Sequence, residues 1–266
     1  MPISLSPTDV QQTSFPVTQD VFLGGQLTIR QPKHGYRAGI DAVLLAAAVR
    51  AAPDGPRTLL DIGAGAGTVG LCAAARLAAL NVVLLEREDA LAKLAQENAK
   101  ANGLDSRVRA VTASVTETAA ALNAIGLPRE SFDQCVANPP FHDEAAGTPA
   151  QDALKSGAHA MPAGSLEDWI RFMARMVRPS GRATLIHKAE ALDSILAAMT
   201  GRFGGLIVFP IFPRAGANAI RVIVEGTKGS RAPLRVRPGI LLHEAGNDFL
   251  PEADAILRRG EALRIN

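Results

Sequence analysis

The chain has 266 residues, of which 47% are hydrophobic and 4% aromatic, so it has enough apolar material for one large α/β domain. Its 28 lysines and arginines nearly balance its 26 aspartates and glutamates, so a nucleic acid would need a local basic patch to bind. The two cysteines, Cys72 and Cys135, do not support a disulfide framework or a zinc site.

The polar residues 1–19 predict a loose arm and lack the basic and apolar regions of a signal peptide. No apolar run approaches the roughly 20 residues of a membrane span, so we expect a cytoplasmic protein without a membrane partner. A short strand or hairpin is predicted at 21–31. A helix is predicted at 41–52, with Asp41 placed to cap it.

The centre of the chain alternates between strand and helix patterns. Strands are predicted at 58–62, 82–85, 108–112, 132–137 and 183–187. Helices are predicted at 67–80, 88–101, near 123, at 166–177 and at 190–199. This alternation is typical of a parallel, doubly wound sheet with helices on both faces.

The end of the chain departs from this alternation. Two β-rich runs, GLIVFPIF and NAIRVIVEG, are separated only by PRAGA, and so short a link predicts an antiparallel hairpin. A basic tail follows, with a further strand and a terminal helix. We divide the chain into an N-terminal arm and helix that pack on the cofactor site (1–52), a core (53–226) and a basic C-terminal extension (227–266).

The stretch TLLDIGAGAGTVG, at 58–70, fits two cofactors. Residues 65–70 match the G-x-G-x-x-G pattern of NAD sites, whereas 61–67 read D-x-G-x-G-x-G, as in enzymes that bind S-adenosylmethionine (SAM). Asp61 could receive the amino group of SAM. Glu86 ends the next predicted strand and could bind ribose hydroxyls in either case, so this region alone leaves both cofactors open.

The sequence Asn138-Pro139-Pro140-Phe141 follows the fourth predicted strand of the core, at the edge where open α/β sheets bind ligands. The Asn138 side-chain oxygen and the Pro139 carbonyl can accept hydrogen bonds from an exocyclic amine, which localises the nitrogen lone pair. Phe141 can stack on a base, which is worth about 1–3 kcal/mol. The prolines stiffen the loop. The four residues resemble the (D/N/S)-P-P-(Y/F/W) motif of methyltransferases that act on exocyclic base amines or glutamine amides, and this resemblance favours methylation of an amine over hydride transfer.

Several segments together carry a resemblance to a known family. They are GYRAGIDAVLLAA at 35–47, LLDIGAGAGTVGL at 59–71, LLERE at 84–88, AQENAKANGL at 95–104 and ANPPF at 137–141. The chain resembles the small-domain class I methyltransferases, most closely the bacterial tRNA1(Val) adenine-37 N6-methyltransferases. The resemblance implies a Rossmann-like, seven-stranded, mostly parallel sheet with a C-terminal antiparallel hairpin. It also implies SAM as cofactor and tRNA as substrate, without a metal, in a monomer or homodimer.

The resemblance assigns roles to individual residues. Those expected to bind SAM are Arg37, Asp41, Asp61, Gly63, Ala64, Gly65, Gly67, Glu86, Arg87, Ser114 and Asn138. Those expected to hold the adenine, as the catalytic set, are Asn138, Pro139, Pro140 and Phe141. RNA contacts are expected from Lys33, Tyr36, Lys155, Arg214, Lys228 and Arg231, since a tRNA enzyme needs phosphate-binding side chains. For Asp41, helix capping is an equally good interpretation.

Two positions depart from the family pattern. Ser114 stands where many relatives have an aspartate that holds the SAM adenine. His142, directly after Phe141, is reminiscent of ribosomal RNA guanine-N2 methyltransferases, which usually carry a duplicated domain. The long loop at 138–164 is predicted to bind substrate and to be mobile without it.

Three alternative functions stay open at this point. One is methylation of another acceptor, either guanine N2 in RNA or a glutamine side chain in a protein. Another is an NAD(P)-dependent oxidoreductase, although no catalytic Tyr-Lys or His pair is evident. The last is a binding module without activity, which the intact 138–141 motif disfavours.

Overall fold

A computed structural model describes residues 15–51, 57–140, 165–244 and 246–265, and its first element is a β-hairpin. Strands β1 (Val17–Phe22) and β2 (Leu27–Pro32) pair antiparallel, and helix α1 (Ile40–Ala48) follows. The prediction that Asp41 caps α1 is wrong. Gly39 is the N-cap and no side chain caps the helix, because the Asp41 carboxylate accepts a hydrogen bond from Arg221 instead.

The centre of the chain alternates between strands and helices, as predicted. Its elements are β3 (Arg57–Ile62), α2 (Thr68–Arg76), β4 (Leu80–Glu86), α3 (Asp89–Ala101), β5 (Val108–Thr112), α4 (Ala119–Ala124), β6 (Phe132–Ala137), α5 (Ser165–Met176), β7 (Val177–Lys188) and α6 (Leu192–Met199). Strand β7 is longer than predicted, because the sequence PSG at 179–181 forms a bulge within the strand. Ser180 has φ +62° there, and the pairing register of β6 with β7 shifts across the bulge.

The C-terminal part completes the sheet. Its elements are β8 (Phe203–Phe212), β9 (Arg221–Lys228), β10 (Arg235–Val236), β11 (Ile240–Leu241) and α7 (Pro251–Arg259). The strand order is β10-β8-β9-β7-β6-β3-β4-β5, with β11 also on β8. Strand β9 is antiparallel to β7 and β8, which confirms the predicted mostly parallel sheet with a C-terminal hairpin.

Among the described residues, two short strands enlarge the predicted sheet from seven strands to nine. Strands β10 and β11 have two residues each and pair parallel with β8. Strand β11 lies in GILLHE at 239–244, the further strand predicted in the basic tail. Strand β10 was not predicted, because two residues carry no periodic signal.

Apolar clusters cover both faces of the sheet. One contains most of α1 and α2 together with Leu23 and Leu27 of the hairpin and Ile256 and Ile265 near the C-terminus. The other lies under α5 and α6. All three predicted parts of the chain therefore contribute to the apolar interior, and their division into domains stays a prediction.

The described residues hold no disulfide bridge, membrane-spanning helix or metal-ligand cluster. Cys72 and Cys135 are buried and unbridged. No helix in the described ranges is long and apolar enough to cross a membrane. Within the same ranges, no group of three or more His, Cys, Asp or Glu side chains is placed to hold a metal ion.

Candidate active site

The predicted site residues of the core meet at the carboxyl edge of the parallel strands. In the sheet register, Ile62 at the end of β3 lies beside Leu85 of β4 and Ala137 of β6. Glu86 lies beside Thr112 at the end of β5. The glycine loop, Glu86, Ser114 and Asn138 therefore follow neighbouring strand ends, which is where open α/β sheets bind ligands.

The glycine loop is a tight turn with one open face. Gly63, Gly65 and Gly67 have φ of +66°, +56° and +89°, a region that side chains disfavour. A Cβ at Gly70 would lie 2.3 Å from Leu84 Cδ2, so this glycine lets α2 pack closely on β4. A Cβ at Gly65 would meet nothing within 4 Å, which leaves room for a ligand against the backbone.

Glu86 is held by the loop that it faces. One carboxylate oxygen accepts a hydrogen bond from the Gly65 N–H at 2.9 Å, and the other accepts one from the Glu88 N–H at 3.0 Å. Each carboxylate oxygen has a second lone pair. The carboxylate is thus rigidly placed and can still accept hydrogen bonds from a pair of neighbouring hydroxyls.

Asp61 is buried beneath the loop, with 1% of its surface exposed. Its Oδ2 accepts a hydrogen bond from the Gly70 N–H at 2.8 Å, which ties β3 to the first turn of α2. The pKa of Asp61 is raised to about 7, mainly by burial and also by the Glu86 charge, while the Gly70 hydrogen bond opposes the rise. A cation placed beside this carboxyl would therefore favour its ionised form.

Asn138 presents an oxygen without a partner. Its side-chain Nδ2 donates a hydrogen bond to the Tyr36 hydroxyl at 2.7 Å. Its Oδ1 is buried and accepts no hydrogen bond from any described residue. Pro139 is buried behind it. Phe141, the fourth residue of the predicted motif, lies outside the described residues, as do His142, Lys155 and most of the loop at 138–164.

Tyr36 enters the site from the segment between the hairpin and α1. Burial raises the pKa of its hydroxyl to about 12, and the charge of Asp41 adds to the rise. The hydroxyl is therefore neutral at physiological pH. The resemblance suggested Tyr36 as an RNA contact, and the structure brings its hydroxyl to the predicted catalytic asparagine.

Arg37 and Asp41, both predicted to bind the cofactor, have partners within the protein. Arg37 Nη2 lies 2.5 Å and 2.7 Å from the two carboxylate oxygens of Asp20 in β1. Asp41 Oδ2 lies 2.8 Å from Arg221 Nε at the start of β9. These ion pairs fasten the N-terminal segment beside the site, so contact with a cofactor stays a prediction for both residues.

Asn98 of α3 and Asn102, the C-cap of the same helix, dock the hairpin, and the sequence analysis gave neither a role in the site. Asn98 is fully buried; it accepts a hydrogen bond from the Arg30 N–H and donates to the Arg30 and Ala66 carbonyls. Asn102 pairs in the same way with the N–H and carbonyl of Thr28. Asn98 and Asn102 are four positions apart, and they bind Arg30 and Thr28, which are two positions apart on β2. Through Ala66, this contact joins the hairpin to the glycine loop.

Trp169 of α5 is a second feature that sequence reasoning missed. A Cβ at Gly63 would lie 2.3 Å from Trp169 Cη2, so the indole packs directly on the first glycine of the loop. The signal in the sequence was the single tryptophan of the chain. Its position places an aromatic wall beside the loop.

The remaining residues predicted to bind the cofactor are Ser114, Arg87 and Ala64. Ser114, after β5, shares a hydrogen bond with the Thr116 hydroxyl at 2.9 Å. Arg87 is exposed and lies 3.3 Å from Glu88. Ala64 donates its N–H to the Leu85 carbonyl at 3.0 Å, which closes the turn after β3.

The predicted RNA contacts divide between the two edges of the sheet. Lys33 follows β2 and is exposed near Tyr36, and Arg214 lies in the turn between β8 and β9, at the carboxyl edge. In the strand register, Lys228 of β9 lies beside Phe203 of β8, at the opposite edge of the sheet. Arg231 follows Lys228 at that edge.

Internal contacts take up two of these basic side chains. The Lys228 ammonium donates to the Glu130 carboxylate and to the Ala174 and Val177 carbonyls. It therefore has a structural role that competes with phosphate binding. Arg214 donates to the Glu244 and Gly246 carbonyls and holds the C-terminal tail.

Comparison with known proteins identifies relatives of the chain. A family model for the methyltransferase small domain matches residues 39–166. A tRNA1(Val) (adenine(37)-N6)-methyltransferase of Porphyromonas gingivalis is 30% identical over 179 residues, which cover 66% of this chain and 68% of that protein. The protein of the same name from a Shewanella species is 31% identical over 160 residues, or 60% of this chain, and the match spans only 63% of its length.

A solved structure agrees with these relatives. A protein of Agrobacterium tumefaciens described as a predicted O-methyltransferase is 34% identical, with a TM-score of 0.70. The match covers 84% of this chain and 98% of that one. Because the Porphyromonas gingivalis relative is 30% identical over 68% of its length and a family model matches residues 39–166, the chain belongs to the small-domain family of class I methyltransferases.

Proposed function

We propose that this methyltransferase uses SAM to methylate an exocyclic base amine in RNA, namely N6 of adenine 37 in the anticodon loop of a tRNA. The observation that carries the proposal is the buried Oδ1 of Asn138, which lacks a partner among the described residues. Asn138 follows β6, which pairs with β3, the strand that leads into the glycine loop. The names of the relatives support the choice of adenine and of tRNA1(Val).

The residues at the glycine loop fit SAM. The open face at Gly65 admits a ligand against the backbone, and Glu86 can accept hydrogen bonds from the two ribose hydroxyls. Asp61 supplies a carboxylate for the cationic amino-acid part. Bound SAM supplies an electrophilic methyl group on a sulfonium, so the chain itself has only to place the acceptor.

The acceptor side needs hydrogen-bond acceptors rather than a strong base. An aromatic amine is a weak nucleophile because its lone pair is delocalised into the ring. Asn138 Oδ1 and the Pro139 carbonyl would each accept one N–H of the amine, and this directs the lone pair towards the methyl donor. Because both acceptors are fixed before the substrate arrives, little reorganisation is needed in the reaction. The methylated amine loses its proton to water.

The experiment that tests this function is methyl transfer from radiolabelled SAM to an unmodified tRNA1(Val) transcript, followed by nucleoside analysis. We expect the label in N6-methyladenosine. A transcript with guanine at position 37 is the matched control and should accept no label. Label in N2-methylguanosine would instead support a guanine enzyme. Label in a ribose-methylated nucleoside, or none in any RNA while SAM binds, would overturn the proposal.

Replacement of Gly65 by alanine separates cofactor binding from folding. The new methyl group meets no protein atom within 4 Å, so the variant loses only the roughly 1–2 kcal/mol that a left-handed alanine costs. The methyl group projects from the open face of the loop, into the space proposed for the cofactor. We therefore expect the affinity for SAM, measured by titration calorimetry, to fall about tenfold or more, which corresponds to about 1.4 kcal/mol.

Gly70→Ala is the control for this variant. Its methyl group would press on Leu84 within the packed interior, so we expect a loss of about 1–3 kcal/mol in the free energy of unfolding. The affinity of the folded fraction for SAM should fall less than in Gly65→Ala, because the new methyl group lies in the packed interior and not on the open face of the loop. Unchanged SAM affinity in Gly65→Ala would show that the cofactor does not lie against this loop.

A further inference from the structure

The side-chain amide of Asn138 must be oriented correctly if it is to bind an amine. With Oδ1 towards the substrate it accepts a hydrogen bond, whereas with Nδ2 in that place it presents N–H groups to the N–H groups of the substrate. The two orientations have nearly the same shape, so packing alone selects weakly between them. In the structure the Nδ2 side is taken up by the Tyr36 hydroxyl at 2.7 Å.

The position of Tyr36 is set by the N-terminal hairpin. The Gln31 side chain bridges the backbone of Ala38, accepting its N–H at 2.8 Å and donating to its carbonyl at 3.2 Å. Arg37 is paired with Asp20. The two residues that follow Tyr36 are thereby fastened to β1 and β2, which fixes where the phenol ring enters the site.

The electrostatic surroundings suit a hydroxyl that serves as an acceptor for an amide N–H. Burial and the charges of Asp41 and Asp61 oppose ionisation of Tyr36, whereas Arg221 and the hydrogen bond with Asn138 favour it. Because the opposing effects prevail, the pKa is about 12 and the hydroxyl is not poised to act as a base. Its contribution to the reaction therefore comes from its position.

We propose that Tyr36 is a positioning residue, which holds the amide of Asn138 with Oδ1 facing the acceptor amine; this inference rests on the proposed function of Asn138. Without the hydroxyl, Nδ2 loses the partner that holds it away from the acceptor amine. Nothing then favours the orientation with Oδ1 towards the amine, because the two orientations have nearly the same shape. The productive orientation is then no longer the one that the protein selects.

The first test is Tyr36→Phe, which removes the hydroxyl and keeps the ring. An unpartnered buried donor shifts the balance of orientations enough to lower kcat about 10- to 100-fold. We expect the KM for tRNA to change less than about threefold, because the ring and the RNA surface are kept. A large rise in KM with kcat unchanged would make Tyr36 an RNA contact and overturn the inference.

The second test uses Asn138→Asp, whose two carboxylate oxygens make the orientations equivalent. This variant retains an acceptor towards the amine, so we expect activity below that of the wild type but measurable. In this background Tyr36→Phe should cost less than about threefold, because there is no orientation left to fix. An equal loss in both backgrounds would show that Tyr36 acts without Asn138.

The third test needs no acceptor, so it separates this inference from the proposed function. In nitrogen-15 NMR spectra of the cofactor-free protein, the side-chain NH2 signals of Asn138 are assigned by their loss in Asn138→Asp. We expect one of these two protons to be protected from exchange in the wild type and both to exchange rapidly in Tyr36→Phe. Equal exchange in the two proteins would overturn the inference. A wild type that methylates no RNA but shows this protection would overturn only the function.

Discussion

Replacement of Asn138 by alanine should lower the rate of methyl transfer about 100-fold or more, since it removes an acceptor that is fixed before the reaction. Asn138 directly follows β6, its Oδ1 has no partner among the described residues, and its Nδ2 donates a hydrogen bond to the Tyr36 hydroxyl. Titration calorimetry should give an affinity for SAM within about twofold of the wild type, because the glycine loop and Glu86 are unaffected.

Asn123→Ala provides the control for this loss. Asn123 is exposed at the end of α4, where an alanine is well tolerated, so transfer should match the wild type. The decisive quantity is the rate of a single turnover at saturating SAM. A rate for Asn138→Ala within about threefold of the wild type would remove Asn138 from the mechanism.

Strands of the core were predicted well because their signals are local. Strands β5 and β6 have the bounds predicted, since each is a short run of β-branched or apolar residues between turn residues. The topology then placed the glycine loop, Glu86 and Asn138 at one edge without any knowledge of side-chain contacts. Membership in a methyltransferase family decides against the oxidoreductase interpretation, which the glycines alone had left open.

The contacts that complete the site could not be predicted, because they join distant parts of the chain. Tyr36 and Asn138 are 102 positions apart, and Asp41 and Arg221 are 180 apart. Asp41 also shows how tertiary structure overrides a local pattern: an aspartate near a helix start predicts a cap, but a better-placed arginine on β9 takes its carboxylate. The hairpin β1–β2 was foreseen only as a strand or hairpin, and its docking on α3 depends on how Asn98 and Asn102 face it.

Asp61→Asn is expected to stabilise the protein and weaken its cofactor site. The asparagine oxygen can still accept the Gly70 N–H, while the charge that burial opposes is removed. A shift of the pKa from 3.8 to about 7 corresponds to at most about 4 kcal/mol, so we expect unfolding at pH 8 to require about 2–4 kcal/mol more in the variant. Affinity for SAM should fall about tenfold or more, because a charged hydrogen-bond partner of the cofactor is lost.

The pH dependence of the free energy of unfolding tests whether the charge of Asp61 causes the difference in stability between the two proteins. In the wild type, the folded state holds a proton on Asp61 up to about pH 7 whereas the unfolded state releases it near pH 4, so this residue lowers stability as the pH rises through that interval. Denaturation in urea should therefore show that the advantage of Asp61→Asn shrinks between pH 8 and pH 5. The exposed Asp105→Asn is the matched control and should give no such trend.

Cofactor affinity should show the opposite dependence on pH in the wild type. SAM is cationic and favours the ionised carboxyl, so below about pH 7 its binding must displace a proton from Asp61. Affinity is then expected to fall with decreasing pH, by at most about tenfold per unit, and to be nearly flat in Asp61→Asn. Parallel profiles for the two proteins would mean that Asp61 only anchors α2 through Gly70, and the cation-binding role would pass to another carboxylate of the site. Because stability and affinity move in opposite directions in this one variant, a general loss of structure cannot produce the expected result.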